Sequence, residues 1–65
     1  MVEIGGKNMY GYELYFKGWF IKERKAQYKT HKEAETEGKI AMKEDREERM
    51  YHPQYKNYNL VITEN

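Results

Sequence analysis

Cysteine is absent from the 65-residue chain, so neither a disulfide nor a thiolate metal site can support its core; that usage fits a reducing compartment. No apolar run approaches membrane-spanning length, and the opening MVEIGGKN lacks the apolar segment of a secretory signal. A cytoplasmic protein with no membrane partner is the expectation. Proline occurs once, at Pro53, so nothing from Thr30 to Tyr51 carries that helix breaker. Motifs of catalysis and cofactor binding are missing as well. Gly5-Gly6 has no strand-to-helix context for a phosphate loop. His31 and Glu35, one helical turn apart, have no third ligand at a useful spacing. The carboxylates at 44, 45, 47 and 48 lie among arginines without the spacing of a calcium loop. A chain this short leaves little room for a pocket holding a positioned acid–base or nucleophilic cluster. We therefore expect no enzyme, no metal and no cofactor.

What is present is unevenly distributed. Apolar residues make up 38% of the chain and charged residues 35%, with a mean hydropathy of −1.19, a balance that leans toward disorder. Aromatics at 15% oppose it and point to one small folded domain over residues 1–65. Its core is near the size where a single domain is marginal, and a homodimer sharing aromatic surface would compensate. The net charge of +1 conceals an asymmetry: residues 1–32 carry seven Lys/Arg against three Glu, whereas residues 33–49 carry seven Asp/Glu against four Lys/Arg. A basic sheet and an acidic helix follow.

The stretch Tyr10 to Thr30, YGYELYFKGWFIKERKAQYKT, reads as paired strands around a two-residue turn at Lys17-Gly18. With Phe16 facing Trp19, regular pairing sets Tyr15 against Phe20, Leu14 against Ile21, Glu13 against Lys22 and Tyr12 against Glu23. Alternation then places Tyr12, Leu14, Phe16, Trp19 and Ile21 on a core face. Glu13, Tyr15, Lys17, Phe20, Lys22 and Arg24 fall on the other. A second turn is expected at Arg24-Lys25-Ala26 and a short third strand at Gln27-Tyr28-Lys29, completing a sheet over residues 10–29. Residues 1–9, with Val2-Glu3-Ile4, make either an edge strand or a loose arm.

Thr30 and Glu33 form a T-x-x-E capping box that starts a helix over residues 30–50. Glu35–Lys39 and Asp45–Arg49 are favourable i,i+4 pairs, and His52-Pro53 ends the helix. Ala34, Gly38, Ala41 and Met42 share one face, with room beneath them for Tyr12, Phe16 and Trp19; Gly38 implies close packing against an aromatic. Lys43 to Arg49 is charged all round and should project into water or meet a partner. Residues 51–65 form a tyrosine-studded turn followed by the strand-like run Asn59 to Thr63. That run returns to the sheet or pairs with another copy. The expected fold is α+β, an antiparallel sheet of three to four strands packed against one helix in the order β-β-β-α-β, its core made of Tyr12, Leu14, Phe16, Trp19, Ile21, Ala34, Ala41 and Met42, with Leu60 and Ile62 adding to it.

The run GYELYFKGWFIKERKAQYKTHKEAE resembles the small sheet-plus-helix domains at the amino termini of tyrosine integrases, which bind arm-type DNA sites, and their plant ethylene-response-factor relatives. The likeness covers about residues 10–42 and lies in the order of elements: a strand pair, a short strand ending in an aromatic (Tyr28-Lys29-Thr30), and an acidic–Ala helix start (Lys32-Glu33-Ala34-Glu35). The resemblance implies a sheet inserted into the DNA major groove, with Lys17, Lys22 and Arg24 near DNA.

Two functional expectations follow. In the first, Tyr15 and Phe20 stack on bases or sugars while Lys17, Lys22, Arg24 and Lys25 neutralise phosphates, making a DNA- or RNA-contacting face. In the second, the chain is a phage-type accessory protein that binds and inhibits or modulates a host or regulatory protein through its acidic helix or a sheet edge, with Tyr51, Tyr55 and Tyr58 contributing.

Overall fold

The computed structural model describes residues 9–64, in the order β1 (Tyr10–Phe16), β2 (Trp19–Tyr28), α1 (His31–Glu48), a 3-10 turn (Tyr55–Asn57) and β3 (Tyr58–Glu64). The strands form one antiparallel sheet in the order β2-β1-β3, with α1 on one face. This is the expected α+β class. The resemblance implies three strands before the helix; here two precede it and the third follows. The arm or edge strand expected over residues 1–9 falls, except for Met9, outside the described residues.

β1 is central because its alternation is clean. Tyr12, Leu14 and Phe16 face the helix and are buried, Leu14 completely. Lys17 and Gly18 both have positive φ, 49° and 85°, which is what a type I′ hairpin turn requires. The Lys17 amide donates to the Asn57 carbonyl at 2.8 Å, so the turn is also tied to the entry of β3. The apolar run near the C-terminus returns within the chain, pairing from Phe16↔Tyr58 to Tyr10↔Glu64.

β2 runs on to Tyr28, so residues 27–29 are not a separate strand and residues 24–26 are not a hairpin turn. Tyr12 pairs with Arg24 and Tyr10 with Tyr28; the chain bulges around Ala26, which takes a φ of 51°. Gly11 permits the bulge, since a Cβ there would collide with the Arg24 carbonyl oxygen.

The helix starts as its sequence dictates. The Thr30 Oγ1 accepts from the Glu33 amide at 3.0 Å, and the Glu33 carboxylate accepts from the Thr30 amide at 3.2 Å. Ala34, Gly38 and Ala41 are its buried residues. Gly38 is packed against Leu60 rather than an aromatic; a Cβ would lie 2.6 Å from Leu60 Cδ1. The segment Lys43 to Arg49 is not charged all round toward solvent. Asp45 accepts from the Tyr58 hydroxyl at 2.7 Å and from Arg49 Nε at 2.8 Å, the Arg49 guanidinium lies 4.2 Å from the Phe16 ring centroid, and Arg46 Nε donates to the Pro53 carbonyl at 2.7 Å. This half of α1 is thereby latched to the sheet.

The core therefore contains Tyr12, Leu14, Phe16, Ala34 and Ala41 as expected, with Ile21, Met42, Leu60 and Ile62 packed against it at partial exposure. Two assignments change. Trp19 is 76% exposed and Tyr58, at 8%, is buried. Trp19 stands beside the turn, past the end of the layer that α1 covers, and Tyr58 fills the place against Phe16, their ring centroids 5.0 Å apart.

Candidate binding surface on the open sheet face

Beyond the turn, Phe16↔Trp19 and Tyr15↔Phe20 pair as regular alternation predicts. The next pair is Leu14↔Lys22, then Glu13↔Glu23 and Tyr12↔Arg24. Ile21 is therefore the extra residue of a β-bulge, and every later side chain of the strand changes face. Ile21 and Lys22 both turn toward the helix, where they border a recess with Ala41, Glu44, Asp45 and Glu48. Arg24 lies across from the buried Tyr12, on the side where Tyr12 stacks on Tyr28 with ring centroids 6.3 Å apart. Burial there raises the Tyr28 pKa.

The six residues expected to share a basic–aromatic face are thus divided. Tyr15 and Phe20 remain on the open face, where Lys25 joins them, Lys17 sits in the turn, and Lys22 and Arg24 move to the helix side. Glu23 takes their place. It stands opposite Glu13, an unfavourable like-charge pair that local partners relieve. The Tyr15 hydroxyl donates to Glu13 Oε1 at 3.0 Å, and Lys25 Nζ lies 3.6 Å from Glu23 Oε2. The hydrogen bond to Glu13 is also the main reason the Tyr15 pKa is raised.

The open face consequently has two carboxylates to one ammonium along Glu13, Glu23 and Lys25. β3 adds Asn59, Val61 and Thr63, which lie across from Tyr15, Glu13 and Gly11. Tyr15 and Phe20 meet edge to face with centroids 5.9 Å apart. Phe20 is 55% exposed, whereas Trp19, paired with Phe16, projects from the opposite side of the sheet. The exposed aromatics, rather than a cluster of cations, are what this face offers a ligand.

Regular alternation missed the arrangement because Trp19-Phe20-Ile21 is an unbroken apolar run that fixes no parity, and neither glycine nor proline marks the bulge. Among the described residues no group of three or more His, Cys, Asp or Glu is placed to hold a metal ion, and no helix is long and apolar enough to cross a membrane. Compared with protein-family models, curated proteins and solved structures, the chain matches none.

Proposed function

We propose that the chain is a non-catalytic protein-binding module whose partner docks on the open face of the sheet, with Phe20 and its cross-strand neighbour Tyr15 as the anchoring side chains. The observation that carries this reading is the exposure of Phe20, packed edge to face on Tyr15, with the exposed Val61 on the same side of the sheet, on a face whose carboxylates outnumber its cations. Tryptophan, tyrosine and phenylalanine are enriched in protein interfaces and dominate their energetics, because each removes a large rigid area from water at small entropic cost. By comparison, the solvent side of α1 offers one large apolar side chain, Ile40, among charges. A small modulator that covers part of a host or regulatory protein fits this surface.

The test is affinity capture from a cognate lysate with the wild-type chain, a Tyr15→Ala/Phe20→Ala variant and a Glu47→Ala control, followed by titration of the purified captured protein. The expected outcome is a stoichiometric complex retained by the control, weakened tenfold or more by the aromatic double variant, and little changed between 50 and 300 mM salt. A complex indifferent to both aromatics would overturn the reading.

A second reading, nucleic-acid contact, draws on the Tyr15–Phe20 pair with Lys25 on the same face and Lys17 at its end. Stacking on these rings would supply affinity without base specificity. Its signature is different: affinity that falls steeply with salt and is weakened by Lys17→Glu or Lys25→Glu.

A further inference from the structure

The two edges of the sheet are built differently. β2 is bent by two irregularities and carries Lys22, Arg24 and Lys25, the devices that normally prevent strands from pairing between molecules. β3 has neither. It pairs with β1 in unbroken register over seven residues and contains no lysine, arginine, proline or glycine. Its orientation follows from the Lys17 amide donating to the Asn57 carbonyl. Opposite residues that bond at 17↔57 bond again at every second pair, so Asn59, Val61 and Thr63 bond to β1. The amide and carbonyl groups of Leu60 and Ile62 point away from it, at the open edge. Beside this edge, between β3 and α1, lies an apolar groove of about 530 Å³ lined by Met42, Tyr55, Leu60 and Ile62 and rimmed by Glu35, Lys39 and Lys43.

We infer that this edge and groove are occupied by a second copy of the chain, β3 against β3 about a two-fold axis through Val61. The sequence of β3 is complementary to itself in that register. Val61 meets Val61 of the other copy and Asn59 meets Thr63 on the open face, while Leu60 meets Ile62 on the helix side. The outward-pointing groups of Leu60 and Ile62 then bond each other, as an antiparallel pair requires. The charges on the rim are complementary too. α1 runs beside β3 from the Tyr10–His31 ring contact at one end of the sheet to the Asp45–Tyr58 bond at the other, which sets Lys39 near the level of Val61. The axis therefore brings Glu35 of one copy toward Lys43 of the other. The pairing joins the two apolar grooves into one covered seam and extends the sheet from three strands to six, with the open aromatic faces side by side. It does not depend on what binds those faces.

Sedimentation velocity on the full chain tests this, with amide NMR spectra to confirm that each variant is folded. The wild type is expected at twice the 8.0 kDa chain mass at tens of micromolar. Val61→Lys, which places two ammonium groups opposite each other on the axis, should raise the dimer dissociation constant at least tenfold, whereas Val61→Thr should leave it within threefold. Glu35→Lys should weaken the dimer, and adding Lys43→Glu should restore it, an outcome that loss of folding cannot mimic. A wild-type chain that stays monomeric to 0.5 mM, or a dimer indifferent to Val61→Lys and to the charge exchange, would overturn the inference.

Discussion

Tyr58 buries its ring against Phe16 and still places its hydroxyl 2.7 Å from the Asp45 carboxylate. Burial first, and the bond to Asp45 second, raise its pKa, so folding favours the protonated phenol. The stability this contributes is fully present below the unfolded tyrosine pKa of about 10 and is lost as pH rises through the higher folded value. Tyr58→Phe should therefore cost about 1–2 kcal/mol near neutral pH, where the hydrogen bond is lost, and make urea-unfolding stability fall less steeply above pH 10. An alkaline limb as steep as that of the wild type would remove Tyr58 from this role. Gly38 gives a second prediction at the same scale. Alanine normally gains about 1 kcal/mol over glycine inside a helix, but here its Cβ would press on both Leu60 methyl carbons, at 2.6 and 2.9 Å. Gly38→Ala should destabilise the wild type by about 1 kcal/mol and become stabilising in a Leu60→Ala background. A double-mutant cycle of thermal or urea unfolding reads the change of sign.

Among the elements, β1 and α1 were legible from sequence and β2 was not, and the difference has a physical source. Tyr12, Leu14 and Phe16 alternate with Gly11, Glu13 and Tyr15, so only one face of β1 can be buried. Thr30 and Glu33 satisfy each other's amides at the start of α1. The Glu35–Lys39 and Asp45–Arg49 pairs form at their expected spacing. In β2 the decision falls at Ile21, where a regular strand and a bulged one have the same composition. Both would pair Tyr15 with Phe20 and turn Ile21 to the core; the bulge differs in bringing Lys22 to the helix side as well, at the recess bordered by Glu44, Asp45 and Glu48. The expected constellation of Tyr15, Lys17, Phe20, Lys22, Arg24 and Lys25 depended on that parity, which is why its aromatic half survives as a surface and its Lys22–Arg24 half does not. The turn supports a prediction at this scale. Lys17 holds a φ of 49°, where asparagine is better accommodated, so Lys17→Asn should stabilise the hairpin by about 0.5–1 kcal/mol. The midpoint of chemical denaturation measures it, and an unchanged or lower midpoint would contradict the turn geometry.

For the molecule as a whole, a thin core and two unlike surfaces belong together. One helix of eighteen residues covers one face of the sheet and leaves the β3 groove and the aromatic face exposed. A second copy on the first and a protein partner on the second would bury what one chain cannot. The bulge at Ile21 bears most directly on function, because it separates Lys22 and Arg24 from Tyr15 and Phe20 and puts Glu23 opposite Glu13. An amide NMR titration of the labelled chain with a mixed-sequence DNA duplex, a single strand and an RNA, at low and moderate salt, tests that separation most directly. The expected result is no set of shifts concentrated on residues 13–25 at low salt. Shifts there that fade with salt and are weakened by Lys22→Glu or Arg24→Glu would mean that the basic and aromatic residues act as one surface, and would contradict the proposed protein-binding face.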